Sequence, residues 1–228
     1  MSLTGSRTVG RTGSGKSSLT LSLLRCIFTS GKVYYDGLDT SMLNLDALRS
    51  NIAIIPQDPQ LLGGDLRSNL DPFVQHEDSA LNEALRAAGL FSLQTGLEDG
   101  RINLDTTIAS GGSNISLGQR QIIALARAMI KRSKIIILDE ATAAVDHETD
   151  TIIQESIRNG LKGVTVITVA HRLRTVMDAD KIMVLDAGRI VEFGTPEVLL
   201  AMDDGMLRAL VEQSGDRDEL IKIAKGHN

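Results

Sequence analysis

The stretch Gly10-Arg11-Thr12-Gly13-Ser14-Gly15-Lys16-Ser17 fits the pattern G-x-x-x-x-G-K-[ST], and its reading decides the fold. The glycines let backbone N–H groups turn inward around an anion without Cβ clashes. A helix is predicted over Ser17–Phe28, with Leu19, Leu23, Leu24 and Ile27 at near-helical spacing, and its positive end points at the same anion. In such a loop Lys16 reaches the β/γ-phosphates and Ser17 is placed to ligate Mg²⁺, with Ser18 completing the binding run. Far downstream the apolar strand Ile135-Ile136-Ile137-Leu138 ends in Asp139 and Glu140. The eight-residue pattern alone also occurs in ordinary Gly-rich turns. Together with the aspartate strand it points to a nucleoside-triphosphate site.

Composition bounds the alternatives. A chain of 228 residues, 42% hydrophobic, can bury one sizeable core and a smaller subdomain, as expected of a soluble globular domain. No apolar stretch approaches the roughly 18 residues that span a bilayer. Met1-Ser2-Leu3-Thr4 opens no signal-peptide pattern. The single cysteine, Cys26, lies in an apolar helical stretch and reads as a core thiol, consistent with a reducing compartment. A net charge of −5 argues against a generic nucleic-acid surface, and the absence of Trp leaves few platforms for base stacking. No nucleic-acid partner is expected.

Strands and helices alternate along the chain. Val33–Asp36 and Ile52–Ile55 read as strands, the second stopped by Pro56. No strand signal appears between Asp71 and Gly111, where Ala80–Leu90 is helical, and Ile115–Ile130 is a further helix with Lys131 and Arg132 at its negative end. The apolar runs Ile135–Leu138, Val164–Val169 and Ile182–Leu185 follow. A helix that Asp146 caps and Gly160 ends separates the first two, and Asp186-Ala187-Gly188-Arg189 reads as a hairpin turn. The fold class is therefore α/β: a P-loop NTPase (RecA-like) core over residues 1–70 and 131–228 with a mainly parallel sheet, interrupted by a helical subdomain at 71–130.

Four apolar runs, ending at Val9, Ile55, Leu138 and Val169, are each followed by polar groups suited to phosphoryl chemistry. Ligands of open α/β sheets bind outside the carboxyl ends of the strands. The runs thus deliver Lys16, Gln57, Asp139, Glu140 and His171 to one rim. Asp139 is suited to hold Mg²⁺, Glu140 to polarise an attacking water as general base, His171 to meet the γ-phosphate, and Gln57 to sense metal or water. Singly, a glutamine after a proline is also a solvated turn residue, and a histidine beside Arg172 is also structural. Shared position favours the catalytic reading. A second cluster, Ser116-Leu117-Gly118-Gln119-Arg120-Gln121, opens a helix whose serine, glycine and free amides suit a phosphate; an ordinary Ser-capped helix is the alternative. A head-to-tail dimer, in which each chain's second helix start closes the other's P-loop, would use both phosphate-binding ends.

In order and spacing, Gly10–Ser17, Gln57, Ser116–Gln119, Ile135–Glu140, Ala143–Asp146 and His171 resemble the Walker A, Q-loop, signature, Walker B, D-loop and H-loop elements of an ABC-transporter nucleotide-binding domain. The resemblance covers residues 7–215. The runs Val9–Leu19, Ile54–Pro59, Arg67-Ser68-Asn69-Leu70-Asp71-Pro72 and Gly118–Ala128 are similar to the second nucleotide-binding domain of subfamily C, the multidrug-resistance-associated type. The resemblance implies ATP and Mg²⁺ as ligands and a second ABC nucleotide-binding domain as head-to-tail partner, with Ser116, Gly118 and Gln119 on the partner's nucleotide. It also implies transmembrane domains of a parent transporter and a place on the cytoplasmic face of its membrane. Leu117 stands where many members have glycine, a change that in the subfamily accompanies an asymmetric dimer. Family members carry a longer N-terminal stretch with two strands and an adenine-stacking aromatic. The chain is therefore expected to be N-terminally truncated, and Gly5, Ser6 and Arg7 look like poor material for a buried central strand. The leading reading is the ATPase domain of an exporter. A regulatory domain of a channel or receptor and a non-catalytic fragment remain the alternatives.

Overall fold

The computed structural model describes residues 5–10, 13–95, 101–139, 145–170 and 172–226. From the N-terminus the elements are β1 (Ser6–Gly10), α1 (Lys16–Leu23), β2 (Tyr34–Tyr35), β3 (Leu38–Asp39), α2 (Leu45–Ser50), β4 (Ile52–Ile55), β5 (Gly64–Asp65), α3 (Leu66–Leu70), α4 (Asp78–Ala87) and α5 (Leu90–Leu93). There follow β6 (Thr107–Ile108), α6 (Leu117–Ile130), β7 (Ile135–Asp139), α7 (His147–Gly160), β8 (Thr165–Val169), α8 (Leu173–Met177), β9 (Lys181–Asp186), β10 (Arg189–Gly194), α9 (Pro196–Leu200), α10 (Met206–Glu212) and α11 (Arg217–Lys225). Two compact units result: Met1–Ile52, Lys134–Glu140 and Thr165–Asn228 form the first, Ala53–Ser133 and Ala141–Val164 the second. The expected helical subdomain falls inside the second. Among the described residues no helix is long and apolar enough to cross a membrane.

The first unit carries the main sheet, of strand order β10-β9-β1-β8-β7-β4, which β4 enters at Ile52. β1 runs parallel to both β8 and β9, β7 runs parallel to β8, and β10 is antiparallel to β9. Thus β1, although it includes Ser6 and Arg7, expected with Gly5 to be poor material for a buried central strand, is a central strand. Arg7, Thr8 and Val9 are all buried. Pairing on both sides satisfies the main chain whatever the side chains are, and Arg7 meets Asp178 at 3.7 Å. Val9, Ile182 and Val184 pack with Met177 of α8, Leu199 of α9 and Leu207 of α10. A second cluster joins Leu24, Leu48, Ile52 and Ile137, with Tyr35 against it. The Tyr35 hydroxyl donates to the Leu23 carbonyl at 2.9 Å, and burial pushes its pKa up to about 12.

α1 stops well short of the expected Phe28. Arg25 turns left-handed at φ 52°, and its guanidinium donates to the carbonyls of Thr40 and Leu43. Arg49 meanwhile satisfies the carbonyls of Leu24 and Arg25 at the helix end. Cys26 consequently lies beyond the helix and is exposed, not a core thiol. The hairpin at 186–189 forms as read, with Ala187 and Gly188 both at positive φ, the twist that joins antiparallel strands tightly.

The second unit is built around α6, which packs against α3, α4, α5 and α7. Ile122, Ile123 and Leu125 are fully buried, and each such side chain contributes about 1.5–3 kcal/mol. Ser116 caps α6, accepting from Gln119 N–H while the Gln119 side chain accepts from Ser116 N–H, a reciprocal capping box. Asp146 caps α7 through Thr149 N–H at 2.9 Å. The 71–111 region, read as free of strands, contains β6, which pairs antiparallel with β5. Two residues per strand are too few to leave a period-2 pattern.

Candidate nucleotide-binding site

β1 ends at Gly10 in a position that no larger residue can fill. A Cβ there would lie 2.2 Å from the Leu185 carbonyl oxygen on β9 and 2.6 Å from Ser14 Oγ. The loop then needs left-handed residues at Gly13 (φ 82°) and Gly15 (φ 100°), which only glycine adopts without strain. Gly15 is the N-cap of α1 and makes no side-chain cap to the helix. Lys16 is the first helical residue. Its buried side chain folds back beneath the loop, donating from Nζ to the Gly10 carbonyl at 2.9 Å. The Ser14 hydroxyl is buried without a hydrogen-bond partner among the described residues. Outside this cradle Ser17 and Ser18 are exposed. Gly188, on the β9–β10 turn, donates its N–H to the Ser14 carbonyl at 3.1 Å, an anchor that sequence reasoning did not find.

Register carries the rest of the first unit's site. Thr8 of β1 pairs with Val169 of β8, and Val169 pairs with Asp139 of β7, so one row crosses the three parallel strands near their carboxyl ends. The half-buried Asp139 ends its strand in that row, and Ala170 N–H donates to the Thr8 carbonyl at 3.0 Å. Arg11, Thr12, Glu140 and His171 lie outside the described residues.

The remaining candidates belong to the second unit. Gln57 follows β4 and is exposed. Gln121 of α6 donates its amide Nε2 to the carbonyls of Pro56 at 3.0 Å and Gln57 at 2.7 Å. Arg120 Nη1 reaches Asp58 at 3.0 Å. At the start of α6, Ser116 is exposed and Gln119 is engaged in the capping box, while a Cβ on Gly118 would fall 2.6 Å from Thr149 Cγ2 of α7. Sequence reasoning took Gln121 only as part of the helix-opening cluster and did not single out Thr149. The one available signal was Gln121 itself, an amide beside the apolar run Ile122–Leu125 that would need partners if buried.

This arrangement can hold a polyanion. A glycine loop, a buried lysine and an uncapped helix start supply donors and positive potential at one point. The Ser14 hydroxyl, without a hydrogen-bond partner among the described residues, fits a phosphate-bearing ligand. Exposed Ser17 and the Asp139 carboxylate are hard oxygen donors of the kind Mg²⁺ takes alongside substrate phosphates.

Residues 7–143 match the family model of the ABC transporter. The chain is 53% identical over 194 residues to ATP-binding cassette sub-family C member 2 of Mus musculus, spanning 85% of this chain and 12% of that protein. It is 51% identical over 214 residues to ATP-binding cassette transporter abc4 of Schizosaccharomyces pombe (91% and 14%). To multidrug resistance protein mrp-7 of Caenorhabditis elegans the identity is 48% over 212 residues (92% and 14%). The fold is similar to that of a bacterial Atm1-family ABC exporter with ATP bound, at a TM-score of 0.83 and 30% identity over 92% of this chain and 36% of that one. The chain thus spans 12–14% of the length of these curated relatives.

Proposed function

The chain belongs to the ABC transporter family, and from that premise we propose that it binds ATP with Mg²⁺ and hydrolyses it as the second nucleotide-binding domain of a subfamily C exporter. The observation that carries the ATP reading is the cradle itself, with Lys16 Nζ held against the Gly10 carbonyl beneath a loop whose helix start is uncapped. Lys16 and the loop amides hold and orient the phosphates. Ser17 and Asp139 hold Mg²⁺, which when bound neutralises charge on the β- and γ-oxygens. In this reading Gln57 senses the metal or the water, Glu140 takes the proton of the attacking water, and His171 hydrogen-bonds the γ-phosphate.

The capped start of α6, bearing Ser116 and Gly118, suits the phosphates of a partner domain's nucleotide in a head-to-tail pair. The parent transporter's membrane domains would then hold this chain at the cytoplasmic face. Thermal unfolding with and without Mg-ATP tests the binding reading. At about 100 times Kd, ATP is expected to stabilise the wild type by roughly 2.7 kcal/mol. Lys16→Ala should melt cooperatively with almost none of that shift. A shift that survives Lys16→Ala would remove the P-loop from the binding site.

A further inference from the structure

Gln121 is a glutamine only 1% exposed, on α6 beside the buried run Ile122–Leu125. A buried amide is tolerated where its hydrogen bonds are made, yet here Oε1 has no partner among the described residues. The amide nitrogen makes both of its bonds, to the carbonyls of Pro56 and Gln57. Its assignment is chemically forced, since only the NH₂ group can donate to two carbonyl oxygens.

Those two carbonyls belong to the peptide planes on either side of the Gln57 Cα. Fixing both planes fixes φ and ψ of Gln57, and with them the direction of its Cα–Cβ bond. The same turn of α6 adds Arg120 on Asp58, and Arg127 further along donates to the Gln60 carbonyl at 3.1 Å. Ser116 and Gly118 begin this helix little more than a turn before Gln121.

We propose that Gln121 is a positioning residue: it clamps the backbone around Gln57 to α6, so that Gln57 keeps one orientation relative to the helix start that bears Ser116. The side chain touches neither nucleotide nor metal; it acts through Gln57. The inference rests on the reading of Gln57 as the metal- or water-facing group.

The test is steady-state ATP hydrolysis by the intact transporter carrying this domain, measured against ATP and against Mg²⁺ for Gln121→Met, Gln57→Ala and the double variant. Gln121→Met keeps the side-chain length and loses the donor. It is expected to lower kcat about tenfold and to raise the Mg²⁺ concentration for half-maximal rate, with the KM for ATP within about twofold of wild type. The double variant should be no worse than Gln57→Ala alone. Losses that multiply, or a Gln121→Met variant with unchanged Mg²⁺ dependence, would overturn the clamp while leaving the Gln57 reading intact. A Gln57→Ala variant with wild-type kcat and Mg²⁺ dependence would overturn both. If Gln121→Met does not fold cooperatively, Gln121→Glu, which keeps the shape and lacks the donor, takes its place in the same comparison.

Discussion

At Gly10 the chain tolerates no side chain because a neighbouring strand's carbonyl occupies the space, and Lys16 uses Gly10's own carbonyl to hold its ammonium beneath the loop. One residue thus serves strand packing and phosphate cradle together. Val74 shows the opposite economy. It sits at φ 52°, a left-handed conformation that a β-branched residue adopts only with strain, and its side chain is 85% exposed, so no burial offsets the cost. Val74→Asn, which tolerates that conformation, is expected to stabilise the fold by roughly 0.5–1 kcal/mol. Urea unfolding checks this, with a higher midpoint at unchanged slope as the expected result.

Elements are held at their ends by groups with a pH signature. The Asp146 carboxylate lies below the usual range because the backbone N–H of Thr149, and then its side chain, hydrogen-bond the charged form. A depressed folded-state pKa adds stability that is present above the unfolded value, about 3.9, and is lost as pH falls through the folded one. Asn also caps helices but does not titrate. The stability difference between wild type and Asp146→Asn should therefore be constant near neutral pH and change only as the acid range is entered. A difference that varies between pH 6 and 8 would show that the cap is not its source. The Asp65 cap on α3, held down first by the Ser68 hydroxyl and then by the Ser68 N–H, behaves in the same sense.

On the scale of the whole chain, the order β10-β9-β1-β8-β7-β4 makes β1 a strand paired on both sides and places β10 at one edge. Thr8→Pro removes a donor from a strand paired on both sides and is expected to abolish the cooperative melt. Val191→Pro falls at the register shift on the edge strand, where Val191 is half exposed, and should leave a cooperative melt in place. Circular dichroism melts of the two variants distinguish these outcomes. The sequence by itself determined what acts over a few residues: the P-loop, the Ser116 and Asp146 caps, the Asp186–Arg189 turn, and the strand that ends at Asp139. Such signals arise from φ preferences, side-chain-to-backbone hydrogen bonds and local periodicity, all written within three or four positions. Only the tertiary structure decided that Ser6–Gly10 is central, that Cys26 is exposed, and that Gln121 holds the carbonyls around Gln57. Each depends on main-chain groups brought close from far along the chain, and a carbonyl oxygen carries no residue identity for a sequence to display.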